Sequence, residues 1–305
     1  MKKIRNKTDR VRSFLRDDIW SVELENLSKA RARFVKYIKV LLITIRTFSS
    51  QKIGFQSVAL SFFCTMAVVP FIALTFAVTG GLGLADKLKE FLYATFDNSQ
   101  QAIDTILGFA QNIIATAQNG TMGIISSLLF LWLIIWMMIS IERVFNNVWK
   151  VDISRKFIRR LPFYLAMLII APLVIIAFFA GSMVYSHIFD YIGLDIEALK
   201  TFLNWVVFGF VITLTFSAMY KFIPNAHVDY SNALRAAAFS GVAFTVMQYL
   251  YLETQVFVTR LNAVYGAFAA VPLFMLWLNI GWFIILVGAE ISYAFQNVDS
   301  YNTES

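Results

Sequence analysis

The sequence predicts an all-α integral membrane protein. Six transmembrane helices are preceded by an N-terminal cytoplasmic amphipathic helix, and a helical extracytoplasmic loop joins spans one and two. Three observations predict this. Six separate apolar stretches, each about as long as a bilayer is thick, lie between residues 55 and 295. Of 305 residues, 59% are hydrophobic and 15% charged, against roughly half and a quarter in a soluble domain. Basic residues also alternate from one connection to the next. A backbone in hydrocarbon must satisfy its own amides, so runs of this length cross as helices.

Residues 1–52 form a basic segment with fourteen Lys and Arg. Its charge, and the lateness of the first apolar run, predict no cleavable signal peptide. Within it, Arg33–Phe48 reads as an amphipathic helix. Phe34, Tyr37, Ile38, Leu41, Leu42, Ile45 and Phe48 fall at helical spacing, with Arg33, Lys36, Lys39 and Arg46 largely off that stripe. Such a helix lies flat among headgroups, its cations toward lipid phosphates. An orienting anchor is the first reading, and a lipid-sensing or gating element the second.

Residues 53–295 carry the spans, at about 55–80, 121–141, 161–186, 201–222, 233–258 and 267–295. Residues 296–305 are a short tail. The first two connections set the direction: 81–120 holds only Lys87 and Lys89, whereas 142–160 holds Arg143, Lys150, Arg155, Lys156, Arg159 and Arg160. Positive loops stay cytoplasmic, so both termini are expected inside a bacterial inner membrane. The net charge of +7 then faces an anionic leaflet. The basic run lacks the interleaved aromatics of a nucleic-acid binder, so no nucleic-acid partner is expected.

The connection 81–120 suggests two short helices. One carries Leu84, Leu88, Phe91 and Leu92. The other carries Ile103, Ile106, Leu107, Ala110, Ile113, Ile114 and Ala117, and Asp97-Asn98-Ser99 breaks between them. A loop this long with its own apolar faces is more than a connector. It could dock envelope proteins, cap the bundle or lie on the outer leaflet.

Catalytic constellations are missing from the pattern. His187 and His227 fall on opposite sides of the membrane, and there is no Cys pair, HExxH or Gly-rich phosphate loop. No metal, cofactor or enzymatic activity is expected. Charges at membrane depth carry more weight, since each costs about 2.5–3.5 kcal/mol at a span's centre. Glu290 lies before the end of the sixth span, and Glu142 and Arg143 sit at the inner end of the second. A Glu290–Arg143 pair is the structural reading, and a headgroup or proton site the functional one. Pro70 and Pro272 interrupt the first and last spans, each freeing a carbonyl four residues back. Ala67–Leu74 and Ala269–Leu276 echo one another around these prolines, a faint trace of an inverted repeat. Gln248 and Asn279 could line the same interior or simply bond between helices.

Several runs resemble the YihY/BrkB family of membrane proteins. They are Ala59–Phe63 followed by Pro70, Ile141–Trp149 with Arg159-Arg160, Tyr220–Asn225, and Tyr265–Pro272 through Trp277 to Gly288-Ala289-Glu290. The resemblance covers about residues 35–295. It implies a six-helix inner-membrane protein with both ends cytoplasmic. It brings no established catalytic residues, and an old ribonuclease label in the family is regarded as a misassignment. Some relatives are linked to serum resistance or envelope lipid export. The function expected first is a transporter or translocation helper for a lipid or other amphiphile of the cell envelope, with membrane lipids as partners. The alternative is an envelope scaffold docking partners through residues 81–120, and an intramembrane enzyme comes last.

Overall fold

The computed structural model describes residues 18–21, 28–81, 83, 86, 89–90, 93, 104, 107–109, 111–112, 115, 120–151, 155, 160, 162–164, 166, 197–265, 270–299 and 301. A 3-10 turn, Asp18–Ser21, precedes six long helices: α1 (Lys29–Ser50), α2 (Ile53–Gly81), α3 (Gly120–Val148), α4 (Glu197–Phe222), α5 (Tyr230–Tyr265) and α6 (Ala270–Asn297). Helices α2, α3, α4 and α6 are long and apolar enough to cross a membrane. Helix α5 contains the fifth expected span. At about 1.5 Å per residue it is about 54 Å long, and it carries Arg235 and Gln248 within its apolar run. The third expected span, 161–186, lies mostly outside the described residues, and helix is described there at 162–164 and 166.

The outer surface carries large apolar side chains, with Phe55 78% and Val242 65% exposed. An extended surface of this kind belongs against lipid. Helices α3, α2, α6, α5 and α4 pack in that order, and α1 lies against α6. Close approach depends on small residues. At Gly241 of α5, an added Cβ would meet the side chain of Thr213 in α4 and stand 3.2 Å from its Cα. Buried Ala233, Ala236 and Ala237 extend the same face of α5.

Two left-handed residues shape one end of the bundle. Lys52 (φ 54°) turns the chain from α1 into α2. Lys150 (φ 52°) ends α3, where the amide of Val151 donates to Asn146 (2.9 Å) and that of Lys150 to Asn147 (3.0 Å). That is the paired-bond helix stop usually built on glycine. The start of α5 and the ends of α3, α4 and α6 share the Lys150 end, the basic end, as the contacts below establish.

Helix α1 is present but is sided differently from its expected stripe. Its buried residues are Lys39, Val40, Ile43, Thr44 and Thr47. Val40 and Ile43 pack with Ala294, Phe295 and Val298 of the α6 end. Phe34, Tyr37, Leu41 and Ile45 stay exposed. The helix therefore has three faces, one against protein, one apolar and outward, and one polar. Residues beyond the expected sixth span are packed too: Val298 is buried, and Tyr301 sits against Trp20 at 5.5 Å between ring centroids.

Candidate functional site

The site grows from the inner face of α3. Helical spacing puts Ile141, Glu142, Phe145, Asn146, Val148 and Trp149 on one buried face and turns Arg143 outward, exposed. Glu142 is 2% exposed and would be an isolated charge among apolar side chains. Its partners come from the segment after α3. Arg160 Nε stands 3.6 Å from Glu142 Oε1, and the Tyr164 hydroxyl donates to Glu142 Oε2. A turn further on, Asn146 Oδ1 accepts the backbone N–H of Asn225 at 2.7 Å.

Arg155 then ties this segment to α4. The last carbonyls of a helix have no partner of their own. Nη2 of Arg155 donates to the carbonyls of Phe222 (2.9 Å) and Pro224 (3.1 Å), and Nη1 donates to Ile223 (3.2 Å). Its guanidinium lies 4.3 Å from the Phe163 ring centroid. Across the bundle, Gln296 of α6 accepts from the Asp229 amide and donates to the His227 carbonyl, both at 2.8 Å.

Helix α6 brings Gly288 and Glu290. An added Cβ on Gly288 would collide with the Tyr220 hydroxyl and stand 2.6 Å from Ser240 Oγ. Those hydroxyls bond each other at 2.7 Å. Ser240 also donates to the Ala236 carbonyl (3.1 Å), so Tyr220 is the donor between the two. Glycine is what lets α6 lie on α4 and α5 here. Glu290 is fully buried, and among the described residues neither of its oxygens has a hydrogen-bond partner. Thr47 of α1 lies beside it but donates to its own helix at Ile43 (2.5 Å). Lys150 is the cation whose field reaches Glu290. Its ammonium sits over the rings of Tyr293 (5.6 Å) and Tyr301 (5.7 Å).

The expected Glu290–Arg143 pair is therefore corrected. Glu142 falls on the buried stripe of α3 with Ile141, Phe145 and Asn146, whereas Arg143 lies about 100° further round, outside it. Helix α3 thus buries Glu142, whose counter-ion Arg160 lies eighteen residues on. Pro70 lies inside α2 and is buried. Pro272 is the third residue of α6. The residues before Ala270, which would show whether the helix is broken at this proline, lie outside the described residues. Phe268, the carbonyl expected to be freed, lies outside the described residues.

Asn279 and Gln248 make inter-helix bonds. Asn279 Nδ2 donates weakly to Ser57 Oγ of α2 (3.4 Å), and Gln248 Oε1 accepts from Trp277 Nε1 (2.8 Å). Of the four expected surface cations, Arg33 is exposed. Lys36 stands 3.7 Å from Asp299, and Arg46 covers the Trp20 ring at 5.2 Å. Lys39 is corrected: it is buried, because the face of α1 that meets the bundle includes it. Tyr164, Arg160, Asn146, Arg155 and the Gly288–Tyr220–Ser240 contact were not singled out as a site by sequence. The spacing Glu142 to Asn146, one turn apart on an apolar face, was the available signal. Among the described residues no three His, Cys, Asp or Glu side chains converge on a common point.

A second feature lies away from the basic end. Helices α5 and α6 flank an apolar groove with a cavity volume of about 390 Å³. Val246, Met247, Leu250, Leu273, Leu276 and Ile280 line it, with Tyr251 and Trp277 at its edge.

Comparison with known proteins places this architecture. The family model described as Virulence factor BrkB matches residues 44–305. The UPF0761 membrane protein of Acinetobacter baylyi is 30% identical over 85% of this chain and 62% of its own length. That of Legionella pneumophila is 28% identical over 88% of this chain and 64% of its own. That of Pseudomonas aeruginosa is 28% identical over 80% of this chain and 59% of its own. The chain thus spans a little under two thirds of the length of these relatives. No solved structure matches. With the match running from within α1 to the last residue, the chain belongs to the BrkB family of membrane proteins.

Proposed function

We propose that this protein crosses the bacterial inner membrane six times, with both termini cytoplasmic, and moves or helps move a lipid or other amphiphile of the cell envelope. The charge pattern supports the orientation. Six basic residues occupy 142–160, and those with described contacts, Lys150, Arg155 and Arg160, gather where α3, α4 and α6 end. The observation that carries the function is the α5–α6 groove. Its lining is apolar, its volume falls within the range of small-molecule sites, and its residues occupy the middle of α5 and the first half of α6, away from the end where α3, α4 and α6 finish. In this orientation the groove lies toward the outer leaflet, where an acyl chain is the available occupant. The Gln248–Trp277 bond supplies polar atoms near the edge for a headgroup or its glycerol.

A phospholipid bearing a photoreactive group on its acyl chain tests this in nanodiscs. Labelling is expected to concentrate on Val246, Leu250 and Leu276 rather than on the exposed α2 residues Phe55 and Val58. Even labelling across both surfaces, together with unchanged envelope lipids on deletion, would overturn the reading. The scaffold alternative draws on the segment 81–120. There the Tyr93 hydroxyl donates to Asp104 (2.5 Å), and Phe109 is exposed. Crosslinking from Phe109 to envelope proteins, with no lipid labelling in the groove, would favour it.

A further inference from the structure

The lipid groove leaves Glu290 unused. This carboxyl is fully buried, and among the described residues only the Thr47 hydroxyl approaches it as a donor, without hydrogen-bond geometry to either oxygen; each neighbouring element offers it little. From α1 comes Thr47, its hydroxyl committed to Ile43, with buried Lys39 two turns earlier on the same face. The turn after α3 offers Lys150, drawn onto two tyrosine rings. Helix α6 itself adds Tyr293. Between α4 and α5, Tyr220 and Ser240 are closed on one another under Gly288. Helix α2 brings Cys64 no nearer than Trp282, from which it accepts at 3.2 Å, two turns before Glu290. A single carboxyl and a hydroxyl are too few ligands for a hard metal cation, which takes six or more oxygens. A proton needs one oxygen.

We propose that Glu290 is a proton-exchange site and that α1 is its cover, so that proton release to the water on the α1 side goes with loosening of α1 from the end of α6. On release the Glu290 O–H bond breaks, both electrons stay on the carboxylate, and a water accepts the proton. The neutral carboxyl suits the dry packing seen here. The carboxylate costs several kcal/mol at such a site unless water or a cation reaches it. Lys150 and solvent can both arrive where α1 lies. That cover is a narrow seam of Val40 and Ile43 on Ala294, Phe295 and Val298, with a partly exposed Lys36–Asp299 pair at 3.7 Å. Two protonation states thus favour two positions of one helix, which is what a switch element requires.

The full chain in nanodiscs tests this in a Cys64→Ala background. Ile43→Cys in the seam and Ser49→Cys on the exposed face of α1 are each reacted with a water-soluble maleimide. Their rate ratio removes most of the thiol's own pH dependence. Between about pH 5 and pH 9 the ratio is expected to rise at least about fivefold, equivalent to about 1 kcal/mol of opening. A flat ratio in the chain that keeps Glu290 overturns the proposal. With Glu290→Gln the rise should vanish, and a rise of the same size there also overturns it. Infrared difference spectra across the same pH range should lose the carbonyl stretch of one protonated carboxyl in Glu290→Gln, and an unchanged band counts against the site. A groove without lipid leaves this ratio as expected, and a flat ratio leaves lipid labelling intact.

Discussion

Two regions of this bundle are held by different physics. At the basic end, long-range polar contacts tie one element to another: Glu142 to Arg160 and Tyr164, Asn146 to Asn225, Arg155 to the end of α4, and Gln296 to the start of α5. Around the middle of α5 and the first half of α6, the described contacts between these helices are apolar side chains and the Gln248–Trp277 bond, beside a groove. Lipid competes equally well for an apolar helix surface, so greasy contact alone holds helices weakly in a bilayer. Polar ties and close-packed glycines fix geometry. Among the described residues they concentrate at one end, which makes that end the frame.

Breaking the frame should cost most. Arg160→Ala leaves Glu142 buried with only Tyr164, and removing one partner of a buried pair costs about 3–5 kcal/mol. The unfolding midpoint in detergent should fall accordingly, with partial recovery in Arg160→Glu combined with Glu142→Arg. Arg143→Ala, on the exposed face, should stay within about 0.5 kcal/mol. A large loss there would restore the pairing expected from sequence and reverse the contrast. Next comes Gly288→Ala, where a methyl must enter the space of Tyr220 and Ser240. Overpacking of this kind costs about 1–3 kcal/mol, and Ser240→Gly should return part of it. Disturbing the groove region should cost less. Gln248→Leu removes one inter-helix bond, worth about 0.6 kcal/mol in a membrane. Thermal stability should barely change while lipid labelling of Leu250 and Leu276 shifts.

The long helices were legible in the sequence because length and hydropathy in lipid are nearly sufficient signals. Five expected spans overlap α2 through α6, with ends moved by a few residues. The helix α3 ran two turns past its expected end, since Glu142 and Asn146 are tolerated once partners arrive from elsewhere. Which charges pair was not legible. Depth in the membrane drew attention to Glu290 and Arg143, but pairing depends on which helix face is buried. That face was readable from Ile141, Phe145, Val148 and Trp149, whereas the arrival of Arg160 was not. Lys39 shows the same limit. A two-faced pattern suited a helix on a membrane surface, and only the fold reveals that α1 also has a side against α6.

The smallest expected effect is that of Lys150→Gly, where two terms nearly cancel, and it probes how the frame is locked at Lys150. A residue with a Cβ costs about 1–2 kcal/mol in left-handed backbone, and at this helix stop glycine would be the cheaper choice. Lysine recovers part of that cost through its ammonium over Tyr293 and Tyr301, about 0.5–1 kcal/mol for a surface cation on a ring. Lys150→Met keeps the backbone cost and loses the ring contact, so it should destabilise by about that amount. Lys150→Gly loses the contact but relieves the backbone, so its unfolding midpoint should stay close to that of the unaltered chain. The gap between the two variants measures the backbone term alone. If glycine proves as damaging as methionine, the left-handed turn is not strained, and the ring contacts alone explain why the end of α3 is fixed to α6.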